Sequence, residues 1–510
     1  MKQAVRFHPP DERTRILLDL AARVGTAAAV ILIAACAGVD AGSSDAQSTS
    51  APDERRARID AADLRALLDP VFAAGMEKEH IPGAAFILVQ DGRVVLASGY
   101  GSADVASGRA VLPERTIFPI ASISKVFTAT AVMQLVDNGR IDLDDDVNSY
   151  LESVRVPQTY VQPVTVSHLL THTSGLDELP GRRVRSAAEL VPLGDFLGSR
   201  LVRVHPPGEM TSYSSYGIAL AGLLVEDVSG EPLAEYLDRH VWKPLGMTHT
   251  FMTSPDAMRA DLATAYELED RRLVAIPYEL YQTPPTSSIA STVDDMGRFM
   301  IAHLQNGRYE DARILSEAAA IDMHRRHATM HPLVPGWTLG FQEDDANGRR
   351  IIEHGGDIGG FSALMSLLPD EGVGFYVVHH LESTNLRFDV KRALLDRYFP
   401  DRRTVTVPVP RPADAARLAH FAGTYRANNW CHSCADGGPN VQDFDVEAND
   451  DGTIGVWGDR WVEVGPLYFV AADGRGRLGF AEDASGRVTA LTAGSWRVVE
   501  RIGPAVSADQ

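Results

Sequence analysis

Ser122-Ile123-Ser124-Lys125, followed by Val126-Phe127-Thr128-Ala129-Thr130-Ala131-Val132-Met133-Gln134-Leu135-Val136, is the stretch on which the reading of this chain turns. The run after Lys125 is mostly apolar and helix-compatible, so the pattern predicts a buried helix opening at Ser122. Positions i and i+3 share a helix face, which sets the Lys125 amine against the Ser122 hydroxyl. The chain carries five lysines against 43 arginines. The choice matters, because an amine can lose its proton in a shaped pocket and a guanidinium cannot. A serine hydroxyl is a weak nucleophile until a nearby base takes its proton. A lone S-x-x-K arises by chance about 0.3 times in 510 residues with 31 serines and five lysines. The motif therefore needs company.

Composition sets the frame. Length allows two or three domains, and 45% hydrophobic residues suffice for real cores. A formal charge of −20 argues against nucleic acid and against electrostatic docking on anionic lipid. Three cysteines are too few for a disulfide scaffold. Near the N-terminus, Arg13, Arg15 and Arg23 precede an apolar run from Ala27 to Ala35 that ends at Cys36. The run is too short to span a bilayer and reads as the core of a signal peptide over 1–36. Ile33-Ala34-Ala35-Cys36 resembles a bacterial lipobox, which implies lipidation of Cys36. A small, polar tether over 37–59 follows. An ordinary cleaved signal with an incidental Cys36 is the alternative, and on either reading the protein is exported to the periplasm or cell envelope.

Residues 60–79 carry apolar positions at helical spacing: Leu64, Leu67, Leu68, Val71 and Phe72. Ala84–Val89 and Val94–Ser98 flank Asp91-Gly92 and predict a hairpin. A helical, loop-rich stretch runs from Ser122 to about Gly307. Strands are expected again at 337–343, 350–354, 362–368 and 374–379, then a helix over 386–398. Early and late strands that bracket a helical middle predict one antiparallel sheet assembled from both ends of a domain over 60–400, an α+β plan. A proline-spaced linker over 401–415 leads to a second domain over 416–505. There, short strands alternate with Asp451-Gly452, Asp473-Gly474 and Ser485-Gly486, the pattern of a small antiparallel barrel or sandwich.

Four further segments keep the serine–lysine motif company: Val164–Leu176 containing Ser167-His168-Leu169-Leu170-Thr171-His172-Thr173-Ser174-Gly175, Pro206-Pro207-Gly208-Glu209 leading to Tyr213-Ser214-Ser215, Pro244-Leu245-Gly246-Met247, and His354-Gly355-Gly356-Asp357. In this order they resemble the serine β-lactamase and penicillin-binding family. The closest resemblance is to the class C-like branch, with D-alanyl-D-alanine carboxypeptidases, D-amino acid peptidases and family VIII-type esterases. The resemblance implies a β-lactamase/transpeptidase-like fold, an acyl-enzyme on Ser122, and Lys125 to hold or accept its proton. It implies Tyr213 as proton relay, and backbone N–H groups of Ser122 and Asp357 as an oxyanion hole. Ser215, His354, Gly355 and Gly356 would contact substrate, the two glycines letting its backbone approach closely.

Two departures bear on substrate. Ser215 stands where the family often has asparagine and offers less reach to an acylamide. His354 stands where true β-lactamases carry lysine, and a mostly neutral imidazole holds a carboxylate less strongly than an ammonium. Ester or D-amino acid amide and peptide bonds are therefore the expected substrates. A true β-lactamase and a non-catalytic envelope binding protein on the same fold are the alternatives. His168 and His172 lack the partners of a metal motif and read as a packed turn. The opening of the second domain, Phe421-Ala422-Gly423-Thr424-Tyr425, resembles the lipocalin-like module appended to such hydrolases. Trp430-Cys431-His432-Ser433-Cys434 lacks a βαβ context for redox chemistry, and a local disulfide is expected there. Zinc at that loop would need two more ligands, which the neighbouring sequence lacks. No metal, cofactor or nucleic-acid partner is expected, and oligomeric state is left open.

Overall fold

Gly83–Gln90 (β1) is buried along its whole length, and its alternate side chains feed two different cores. Ala85, Ile87 and Val89 pack into the larger core, and Ala84, Phe86 and Leu88 into the smaller. The computed structural model describes residues 58–504 apart from 185, 253–255, 402, 412–413, 436, 438–440 and 496. The expected signal core and Cys36 lie outside the described residues. The strand lies within a seven-stranded sheet with Arg93–Asp104 (β2), Arg109–Ala110 (β3), Gln342–Ala346 (β4), Arg349–Ile358 (β5), Phe361–Leu368 (β6) and Val373–His380 (β7). The order is β4-β5-β6-β7-β1-β2-β3, antiparallel throughout. β1 pairs with β7 from Ala84↔His379 to Gln90↔Val373, so the two ends of the domain do meet in one sheet.

Helices cover both faces. Ala61–Glu79 (α1) opens on Asp60, whose carboxylate accepts from the N–H groups of Ala62 and Asp63. It packs with Leu386–Tyr398 (α5) over the smaller core. On the other face lie Ser124–Asp137 (α2), Ser215–Ser229 (α3) and Val293–Leu304 (α4). Phe127 of α2 stacks on Phe299 of α4 with ring centres 3.9 Å apart. α2 is buried from Ser124 to Leu135 and α3 from Ser215 to Val225. A helix apolar on all sides belongs in a protein interior. Among the described residues no helix is long and apolar enough to cross a membrane.

Differences from the sequence reading have local causes. The strand expected over 337–343 is shifted to 342–346, because Gly340 turns the chain at φ +93°. The strand expected to end at His354 runs on to Ile358 through two glycines. In the second domain the run 459–471 forms two strands, Asp459–Gly465 and Tyr468–Ala471, broken at Pro466 and at Leu467 with φ +56°. With Gly423–Ala427, Asp443–Ala448, Ile454–Val456, Arg477–Glu482, Val488–Thr492 and Val498–Gly503, these two strands close an eight-stranded antiparallel barrel. Tyr425, Phe469 and Phe480 fill it, together with Phe421.

The barrel is packed on the hydrolase-like part. Met210 and Met330 join Ala490 and Val498 in a shared apolar cluster. Ser212 Oγ donates to Asn428 O at 2.9 Å, and the Asn428 amide donates to Thr211 O. The Trp337 indole donates to Ser495 O at 2.6 Å.

Beneath β5, Lys391 of α5 donates to both oxygens of Glu353 (2.8 and 2.7 Å) and to Asp344 (2.6 Å). Ser366 Oγ donates to the same Glu353 carboxylate at 2.7 Å. Removing one partner of such a buried pair leaves a charge without compensation. Lys391→Met is expected to lower unfolding free energy by about 3–5 kcal/mol, read as a lower urea midpoint.

Candidate active site

Ser122 sits on a single 3₁₀ turn, Ala121–Ile123, and α2 begins two residues later at Ser124. Ala121 is held at φ +50°, a conformation that costs a residue with a Cβ about 1–3 kcal/mol. Its neighbours keep it there. Ser124 Oγ donates to Ala121 O at 2.7 Å and accepts from Ile289 N–H at 3.1 Å, while Ile120 N–H donates to Ile289 O at 3.0 Å. The turn lifts Ser122 out of the buried helix, and the residue is only partly buried.

One turn on, the Lys125 amine donates to Ser122 Oγ at 3.0 Å and to Thr286 O at 3.1 Å. Only 1% of the lysine is exposed. Burial pushes its amine down to about 7, helped by the Arg182 guanidinium and opposed by Glu178. Burial also holds the Tyr213 phenol well above its usual range, opposed by a hydrogen bond with Ser122. The Lys125 nitrogen lies 4.9 Å from the Tyr213 ring centre. Between these two groups, the lysine is the one that loses its proton near neutral pH.

His354 of β5 is buried and its ring centre is 6.1 Å from that of Tyr213. Burial first, and then the Lys125 charge, push it down to about 3, so the imidazole is neutral. Its Nδ1 donates to Gly355 O at 2.7 Å. Along β5, residues 354 and 356 face the serine, and 353, 355 and 357 face α5. Glu353 accordingly meets Lys391, and the Asp357 carboxylate accepts from Arg387 at 2.6 and 2.8 Å and from Ser362 at 2.6 Å. The two glycines of this strand differ in their surroundings. A Cβ on Gly356 would lie 2.5 Å from Ile120 O and 3.0 Å from Ser122 N, whereas at Gly355 the nearest atom is Ala363 O at 3.8 Å. Gly356 makes room for the serine turn itself. Among the described residues, β4 pairs only with the 349–353 half of β5, so the 354–358 half is a free sheet edge beside Ser122.

Ser215 opens α3, and its N–H donates to Glu178 Oε2 at 2.8 Å. Glu178 pairs with Arg182 at 3.2 Å. Sequence reasoning missed His172, which it read as part of a packed turn. The imidazole is buried at φ +56°, lies 4.6 Å from the Tyr213 ring and 4.3 Å from Trp337, and accepts from Ser214 N–H at 3.1 Å. Arg387 was missed too: it donates to Gly356 O at 2.8 Å as well as to Asp357. Only the register of α5 against β5 reveals it.

A serine–lysine turn seated against the edge of an antiparallel sheet, with helices on both faces, defines a β-lactamase-like protein. Residues 68–398 match the Beta-lactamase family, and the chain belongs to it. It is 33% identical over 377 residues to "Penicillin-binding protein 4" of Amycolatopsis lactamdurans, covering 69% of this chain and 95% of that protein. It is 26% identical over 392 residues to "Protein flp" of Staphylococcus aureus, covering 72% and 75% respectively. The fold is also that of the octameric penicillin-binding protein homologue from Pyrococcus abyssi, with TM-score 0.58 and 22% identity over 87% of this chain and all of that one.

The contrast between the two glycines is testable. Gly356→Ala is expected to slow acylation of Ser122 by an activated ester about 100-fold, the scale of a displacement near 1 Å at a reacting group. Gly355→Ala, with space for its methyl, is expected to stay within about threefold, both read by stopped-flow release of p-nitrophenol.

Proposed function

We propose that the protein is a serine hydrolase that forms an acyl-enzyme on Ser122 from esters or from amides and peptides of D-amino acids. The observation that carries this is the Lys125 amine, buried, poised to be neutral near pH 7 and 3.0 Å from the Ser122 hydroxyl. Neutral Lys125 takes the proton as Ser122 Oγ attacks the substrate carbonyl. Backbone N–H groups of Ser122 and Asp357, at the turn and on the free edge, receive the oxyanion. Tyr213 stays a phenol; it passes a proton to the leaving group and is resupplied by Lys125. Water then reverses the sequence and frees the serine.

Substrate preference follows from charge. His354 is neutral and Arg182 is already paired with Glu178. Among the described residues, a substrate carboxylate thus finds no unpaired cation at this strand, which favours esters and neutral amides over β-lactams. The likeness to a protein named for penicillin binding supports a second reading, slow acylation by penicillins. Lipid attachment at Cys36 and residence in the bacterial envelope complete the proposal, on the strength of the N-terminal pattern.

Ser122→Ala is expected to cut hydrolysis of a short p-nitrophenyl ester by more than about 10³-fold. Unchanged turnover would sink the proposal in favour of a binding protein. Because Lys125 acts as base only when deprotonated, wild-type kcat/KM should rise with unit slope below about pH 7 and level off above it. Intact-mass spectrometry after incubation with benzylpenicillin separates the substrate classes. An unmodified mass with the ester still hydrolysed fits the leading reading, and a stable adduct on Ser122 supports the second.

A further inference from the structure

His432 lies in the loop closed by the Cys431–Cys434 disulfide, on the barrel side of the contact with the hydrolase-like part. No second ligand is near it in sequence. Folding supplies two. His205, from the segment that leads towards Tyr213, brings its Nε2 to 3.3 Å from His432 Nε2. Glu500, on the last barrel strand, brings Oε2 to 3.2 Å from His432 Nε2 and 3.9 Å from His205 Nε2. All three side chains are largely, though not fully, buried.

These separations are at or beyond the long end for hydrogen bonds. A charge-assisted N–H···O contact closes to about 2.7–2.9 Å, and 3.9 Å is no hydrogen bond. They fit a shared centre better. A triangle with edges of 3.3, 3.2 and 3.9 Å has a point about 2.0 Å from every corner, the bond length of zinc to imidazole nitrogen and carboxylate oxygen. The second shell is also in place. His432 Nδ1 lies 3.1 Å from Trp430 O, a partner that fixes a ligating imidazole with its other nitrogen turned to a metal. Asp177 accepts from His432 N–H and Ser433 N–H, both at 2.9 Å, and from Ser433 Oγ at 2.6 Å, which anchors the loop.

We propose that His205, His432 and Glu500 bind one zinc ion at the junction of barrel and hydrolase-like part, with water completing the coordination. The site is separate from Ser122 and does not depend on the substrate class. Its effect is mechanical. Val204 N–H donates to Gly175 O, Gly208 N–H to Thr173 O and Ser212 N–H to His172 O, each at 2.8 Å. His205 thus sits on a strip bonded to the turn that holds His172 against Tyr213. An ion there ties the barrel to that strip.

The test uses the full chain, stripped with chelator, dialysed and titrated with zinc chloride by calorimetry, with bound metal counted by mass spectrometry. Wild type and the Cys431→Ser/Cys434→Ser double variant are expected to take up one zinc per chain and to gain thermal stability on doing so. His205→Gln and Glu500→Gln, confirmed as folded by circular dichroism, are expected to bind at least about 100-fold more weakly and to show no zinc-dependent rise in Tm. Absence of uptake by wild type at tenfold excess zinc (a ratio of about 10:1) overturns the proposal. So does undiminished affinity in both the histidine and glutamate variants, or a loss confined to the cysteine variant.

Discussion

Between the Ser122 turn and β5 there is no room for a methyl group. A Cβ at Gly356 would stand 2.5 Å from one carbonyl and 3.0 Å from the serine's own nitrogen. That approach sets the position of Ser122 relative to the free half of β5. The rest of the domain holds the two elements in that relation. Arg387 clamps the Gly356 carbonyl and the Asp357 carboxylate from one side, and the Lys391–Glu353 pair fixes the same strand one turn of α5 further on. From the other side, the segment around Ile289 holds the strained Ala121 turn.

Electrostatics inside this frame follow from exclusion of water. Lys125, His172 and His354 are all buried and all pushed towards their neutral forms, chiefly by desolvation. The Lys125 charge also lowers both histidines, and His354 lowers His172. Among the described residues, the Lys125 amine donates to Ser122 Oγ and Thr286 O and to no carboxylate. Glu178, whose charge opposes the shift at Lys125, is occupied by Arg182 and by the N–H of Ser215.

The barrel is tied into the same network. Trp337 touches His172 and bonds to Ser495 of the barrel, and Thr211 and Ser212, just before Tyr213, bond to Asn428. A structural change at the barrel contact therefore acts on residues one or two steps from the phenol.

The sequence by itself determined the class of fold and the pairing of Ser122 with Lys125. Apolar periodicity marks α1, α2 and α5, the Asp91-Gly92 turn marks the β1–β2 hairpin, and Ser122 with Lys125 can be read because helical spacing alone brings i and i+3 together. The alternation of short strands and glycine turns likewise gave the second domain its β character, though not its closure into a barrel. Tertiary structure decided what depends on distance in space. Ser122 lies 91 residues from Tyr213 and 232 from His354 in sequence, and local patterns carry no information on how such segments meet. The two glycines look alike in a string, and only strand alternation and the neighbouring turn show that Gly356 is sterically required and Gly355 is not. The convergence of His205, His432 and Glu500 has the same origin. Their register is fixed by packing between domains, which no local propensity encodes.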